Sequence, residues 1–241
     1  MTFVFFFIAL IYSSAGFGGG SMYLAVLNAY YPTAGIANKI NGLLCNSVVT
    51  FQGSFQWTST YKEAVISGWP MLLSAALSCS ASAYYFRNEG FVQWAMSLAL
   101  IAAGFIMLFQ ERIQKKQVVI HPFNLTILSA VVGVLAGMTG IGGGIYLSPI
   151  LHLTKWRDSK SIATLCSILI LTNSIISLTI IFFFSNQDAF NFDWTLPLAS
   201  VLGGIVGSIT GIKILTPHQI KWITAIILIA VGGQFIWNAI V

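Results

Sequence analysis

Two glycine runs are the first residues in this sequence able to hold a solute. They read Ala15-Gly16-Phe17-Gly18-Gly19-Gly20-Ser21 and Gly137-Met138-Thr139-Gly140-Ile141-Gly142-Gly143-Gly144-Ile145, share the pattern GxGGG, and lie 124 residues apart. Successive backbone N–H groups with no side chains in the way form a concave donor surface for an anion. Each run leads into a short apolar stretch, Met22–Tyr30 and Ile145–Leu153. As helices, these stretches would aim their first N–H groups and positive dipole ends at that surface. Gly18, Gly19, Gly20 and Ser21, with Gly142, Gly143, Gly144 and Ile145, are therefore candidate anion donors. The plainer reading is that small residues permit close helix packing in lipid. A matched pair of breaks in long apolar segments favours the donor reading.

The segments that follow carry neutral polar side chains. Residues 36–56 hold Asn38, Asn41, Asn46, Ser47, Thr50, Gln52 and Gln56; residues 161–184 hold Thr164, Ser167, Thr172, Asn173, Ser174 and Ser177. Aligning Ile36-Ala37-Asn38 with Ile162-Ala163-Thr164 pairs Asn38 with Thr164, Asn41 with Ser167, Asn46 with Thr172 and Ser47 with Asn173. A spacing of three places Asn38 and Asn41 on one helix face, and Thr164 and Ser167 on another. Neutral donors at matched depth suit an anion that must bind and then leave. Asn38, Asn41, Thr164 and Ser167 are the better candidates, because they lie nearer the glycine runs in sequence. For Asn46 and Asn173, interhelical hydrogen bonding is an equal alternative. Lys39, the one basic residue between 1 and 61, either raises the local potential for an anion or snorkels to the interface.

The missing chemistry is as informative. All six Asp and Glu lie in loops or at segment ends, so no mid-span carboxylate offers a proton relay or cation site. His121 and His218 read as loop residues and His152 as interfacial. Cys45, Cys79 and Cys166 have no CxxC spacing, which argues against a metal site or a disulfide framework. Cys45 shares a stripe with Asn38 and Asn41, which leaves open a cysteine-dependent sulfur relay. No nucleophile elbow, zincin or phosphate-loop pattern occurs. The expectation is a non-enzyme without metal or cofactor.

The elements that must position these residues follow from composition. Only 7% of the 241 residues are charged and 57% are hydrophobic, against about 25% charged in a soluble domain. The solvent is lipid, and the net charge of +5 is a topology signal rather than a nucleic-acid footprint. Apolar segments run over 2–31, 36–56, 64–86, 91–110, 122–154, 161–184, 195–215 and 219–241. Residues 1–15 lack a basic leader and a cleavage site, so they read as a membrane segment. Beyond the glycine runs, Trp69-Pro70 faces Leu196-Pro197, Trp94 faces Trp222 and Gly104 faces Gly232. This ordered series implies a duplication: a first repeat over 1–110, a linker over 111–121 and a second repeat over 122–241. If all eight segments span, Lys and Arg divide seven to four. If each glycine-broken segment folds back as a re-entrant hairpin, nine fall inside, with Lys39 and Arg87 outside. Each half then has three true spans, so the halves are inverted, as in many secondary transporters. The predicted fold is an all-α polytopic membrane protein of two inverted repeats. Its termini and loop 185–194 are extracytoplasmic, and it sits in the cell's inner membrane. The expected partners are a small anionic substrate and the lipid bilayer, with no nucleic acid; homo-oligomerisation is left open.

These motifs resemble the sulfite exporter TauE/SafE family of membrane permeases. The resemblance rests on Gly16-x-Gly18-Gly19-Gly20, on Gly140-x-Gly142-Gly143-Gly144-(x)4-Pro149-x-Leu151 and on Ser161-Ile162-Ala163-Thr164. It implies export of sulfite, a sulfonate or a related organosulfur anion. The first half departs from the pattern, with Ala25 where the second has Pro149 and Ala37-Asn38 where it has Ala163-Thr164. The two halves therefore need not contribute equally. A structural subunit that transports nothing is the remaining reading, and the paired glycine breaks argue against it.

Overall fold

The computed structural model describes residues 1–85, 97, 100–109, 122–139, 142–184 and 193–240. The linker at 111–121, loop residues 185–192, and Gly140, Ile141, Arg87, Trp94, Arg112, Lys115, Lys116 and His121 lie outside the described residues. Among the described residues there is no strand. The first half contributes α1 (Thr2–Ser14), α2 (Gly20–Tyr30), α3 (Gly35–Thr60), α4 (Lys62–Tyr85) and α5 (Leu100–Phe109). The second contributes α6 (Pro122–Thr139), α7 (Gly144–Leu153), α8 (Ser159–Phe184), α9 (Thr195–Lys213) and α10 (Pro217–Ile240). An all-helical bundle is what the apolar segments require, because backbone in lipid must satisfy its own hydrogen bonds.

Both glycine runs break the helix where expected. Gly19 (φ +92°) and Gly143 (φ +80°) adopt left-handed backbone immediately before α2 and α7. Two other helix starts are capped by side chains. Asp158 Oδ2 accepts the N–H groups of Lys160 and Ser161 at the start of α8. Thr216 and Gln219 form a reciprocal capping box at α10, with Pro217 as its first residue.

The helix pairing maps onto itself when the halves are exchanged. α1 packs on α9 and α6 on α4; α3 packs on α8; α3 also touches α9 as α8 touches α4. Glycines make the closest crossings. A Cβ at Gly203, Gly207 or Gly211 of α9 would run into the carbonyl oxygens of Phe6, Leu10 and Ser14 of α1. Gly133 and Gly137 of α6 stand likewise against Ala75 and Cys79 of α4. These stripes of small residues bring backbones together where lipid gives no hydrophobic drive for association. Gly207→Ile should therefore cost the fold directly, with a large loss of detergent-extracted folded protein on size exclusion. Retention of a wild-type elution profile and melting temperature would refute this account of the α1–α9 contact.

Two contacts bear on how the chain threads. Arg157 forms an ion pair with Glu63 at 3.7 Å. The Asp193 N–H approaches Asn41 Oδ1 at 3.4 Å. Residues 63 and 157 thus share the end of the bundle reached by the C-terminus of α3, while 41 and 193 share the end where α3 begins. An arrangement in which all eight apolar segments span would separate both pairs; folded-back glycine segments bring them together.

Helices α4 (over Lys62–Tyr84), α8 and α9 are long and apolar enough to cross a bilayer. Helix α3 is as long as α8, 26 residues, but its Asn, Gln, Ser and Thr residues dilute its apolar character. Many of them are buried against neighbouring helices. Large apolar side chains such as Phe3, Phe55, Leu77, Phe183 and Leu198 are exposed on the outside of the bundle, as lipid contact requires.

Candidate functional site

The starts of α2 and α7 meet in the interior. Tyr12, Phe17, Gly18, Gly19, Gly20, Ser21 and Asn46 from the first half, with Gly142, Gly143, Ile145 and Ile170 from the second, line one cavity of about 20 Å³. That is room for about one water, so a solute of several heavy atoms enters only if the walls move apart. Among the described residues no charged side chain lines it. Among the described residues no group of His, Cys, Asp or Glu could hold a metal ion.

Asn46 is the best-connected side chain of the site. Its Oδ1 accepts the Gly20 N–H at 3.0 Å, at the first turn of α2. Its Nδ2 donates to Ser174 Oγ at 2.7 Å, across to α8 of the other half. Asn46 thus occupies the helix start as an anion would, and ties the two halves together beside the cavity. Its neighbour Thr50 donates to the Asn46 carbonyl at 2.7 Å. Asn173 braces the second glycine run: its Nδ2 donates to the Gly142 carbonyl at 3.2 Å, while its buried Oδ1 has no hydrogen-bond partner. The Tyr12 hydroxyl, 5% exposed as a residue, has the Ser21 side chain beside it but no well-formed hydrogen bond. Buried polar atoms of this kind are uncommon, since each forfeits its hydration.

The other expected site residues lie elsewhere. Asn38 donates to Asn28 Oδ1 at 2.9 Å and to the Tyr31 carbonyl at 2.7 Å, at the far end of α2 from the glycines. Asn41 donates to the Ala37 carbonyl at 3.0 Å. Thr164 donates to the Lys160 carbonyl at 2.9 Å. Ser167 contacts Ser54 Oγ at 3.3 Å in the α3–α8 crossing. None of these four lines the cavity, nor does the half-buried Lys39. Gly144 is buried behind it, with Ile170 over its Cα. The reason is geometric. Helix α3 turns back antiparallel on α2, which is 11 residues long, about 16 Å. Nearness in sequence therefore brings Asn38 to the end of α2, and Asn46 to its start.

The register differs from expectation for the same reason. Asn46 faces Gly18 and Gly20, and Ile170 faces Gly142 and Gly144. Both ends of α3 and α8, and Gly19 and Gly143, share that separation of 124 residues. Asn46 is matched by Ile170, not by Thr172, and Asn173 by Val49, not by Ser47. The offset of 126 read from Ile-Ala-Asn and Ile-Ala-Thr followed a local likeness that the packing does not use. Tyr12, Phe17 and Ile170 were missed; the glycine-run offset of 124, applied to Asn46, would have found Ile170.

A family model for the sulfite exporter TauE/SafE matches residues 1–235. The chain belongs to the TauE/SafE family. Among its relatives is a protein of Sinorhizobium fredii named "probable membrane transporter protein", 26% identical over 97% of this chain and 96% of its own length. One of the same description from Methanocaldococcus jannaschii is 24% identical over 94% of this chain and 91% of its own length. No solved structure matches. The TauE/SafE assignment agrees with the resemblance carried by the glycine motifs, and its match runs through both halves of the helical bundle.

Proposed function

We propose that this TauE/SafE protein is a permease of the inner membrane that moves a small sulfur-containing oxyanion, sulfite or a sulfonate, outward by alternating access. The observation that carries the reading is the cavity where the two glycine-led helix starts converge with uncharged donors alone. Such a site attracts an anion through backbone N–H groups and dipole ends, and its described lining offers a cation no carboxylate. The exchange-symmetric helix pairing and the two end contacts support two inverted halves that rock against each other around the cavity. With the termini and loop 185–194 outside and most Lys and Arg inside, an inside-negative potential favours export by about 2.3 kcal/mol per charge per 100 mV. Outward movement of an anion then needs no carboxylate relay in the spans.

The test is counterflow of labelled sulfite and small sulfonates in proteoliposomes holding the purified chain. Saturable flux that a second oxyanion competes away is the expected result; flux no faster than in empty liposomes sinks the proposal.

A cysteine-dependent sulfur relay would need a reachable thiol. Cys45, Cys79 and Cys166 are all free and buried, and none lines the cavity. Cys45→Ser should leave flux within about twofold of wild type, since a small buried residue is exchanged for one of similar size. Loss of flux with an unchanged melting temperature would restore the relay.

A further inference from the structure

The two walls of the cavity are chemically unequal, and on the anion-site reading above this narrows the cargo. Ile170 holds in the second half the place that Asn46 holds in the first, each over the outer two glycines of its run. The same offset sets Ile145 opposite Ser21 and Ala136 opposite Tyr12. Among the described residues, every polar side chain lining the cavity therefore comes from the first half; the second offers backbone and two isoleucines. On the polar wall, the buried Tyr12 hydroxyl has only Ser21 beside it and no well-formed hydrogen bond, and the Gly20 N–H is held by Asn46 Oδ1.

Two physical consequences follow. The cost of taking an ion out of water rises with the square of its charge, and a wall of neutral donors has no cation to offset a second charge. The second wall has the first N–H groups of α7 but no side-chain donor, and its two isoleucines leave an oxygen turned towards them unpaired while accepting a methyl or methylene group. We propose that the cargo is a monoanion with an apolar end, held in one orientation, and that Ile170 is a specificity-determining residue for it. The oxyanion end replaces Asn46 Oδ1 at the start of α2 and takes up the Tyr12 hydroxyl. The apolar end lies against Ile145 and Ile170.

The test is isothermal titration of the full chain in nanodiscs with methanesulfonate, ethanesulfonate and sulfate. Wild type should bind ethanesulfonate about tenfold or more tighter than sulfate, the scale on which one buried apolar group discriminates. Ile170→Asn, which gives the second wall the amide of the first, should bring that ratio near unity, while Ile170→Leu keeps it. Sulfate bound as tightly as ethanesulfonate by wild type overturns the proposal and leaves the anion carrier standing; this comparison needs no variant to fold. An unchanged ratio in a folded Ile170→Asn protein also overturns it. Absence of binding by all three anions overturns this proposal, and absence of sulfite binding as well overturns the anion site itself.

Discussion

Gly143→Ala is expected to abolish anion flux while the protein still assembles, the largest effect the site geometry predicts. Gly143 sits at φ +80°, and a Cβ there would stand 2.9 Å from both Ala136 Cβ and Asn173 Nδ2. A left-handed backbone costs an alanine about 1–2 kcal/mol, and the contacts add to it. The residue responds by rotating or shifting, and the first N–H groups of α7 lose their aim at the cavity. Gly19→Ala acts alike on α2, from φ +92° with Ile8 Cγ2 at 2.9 Å and the Tyr23 ring at 3.1 Å. Gly35→Ala is the control, since a Cβ there meets nothing within 4 Å. Flux in proteoliposomes should fall to background for Gly143→Ala and Gly19→Ala and stay near wild type for Gly35→Ala. Size exclusion should show all three assembled. Normal flux through Gly143→Ala would remove the backbone-donor site.

Asn46 carries the second large prediction, because one amide serves two ends. Asn46→Leu leaves the Gly20 N–H and Ser174 Oγ without their partner in an apolar interior, at about 1–3 kcal/mol for an unsatisfied buried group. It should lower the melting temperature and stop flux together. Asn46→Asp separates the two roles. A carboxylate still accepts from Gly20 N–H and can take a hydrogen bond from Ser174, which offsets part of the cost of burying its charge without a cation. Its charge stands where an anion must come, and like charges at this range in a poorly solvated site repel strongly. Ethanesulfonate or sulfite affinity should drop by more than about tenfold in folded Asn46→Asp protein, a loss of about 1.4 kcal/mol or more. Wild-type affinity in that variant would show that no anion approaches the start of α2.

Much of this molecule was legible before any tertiary contact was known. With so few charges the solvent had to be lipid, and in lipid the backbone had to be helical. The two GxGGG runs marked the breaks, and Gly19 and Gly143 are left-handed at those breaks. The distribution of Lys and Arg called for folded-back segments, and the Arg157–Glu63 and Asn41–Asp193 contacts are of the kind such threading requires. These conclusions depend on composition, periodicity and local backbone freedom, which are properties of single segments.

Which polar residues reach the glycines is a property of pairs of segments, and there the linear reading failed. Asn38, Asn41, Thr164 and Ser167 stand close to the runs in sequence, yet the antiparallel return of α3 on α2 carries Asn38 to the far end and presents Asn46 instead. The stripe of Gly203, Gly207 and Gly211 likewise has no meaning until α1 lies along it. The sequence by itself determined the solvent, the helices and the two breaks, because each follows from local free energy. Only the tertiary structure decided the register of 124 residues that sets Asn46 opposite Ile170, because register is chosen by the side chains of two helices packing at once.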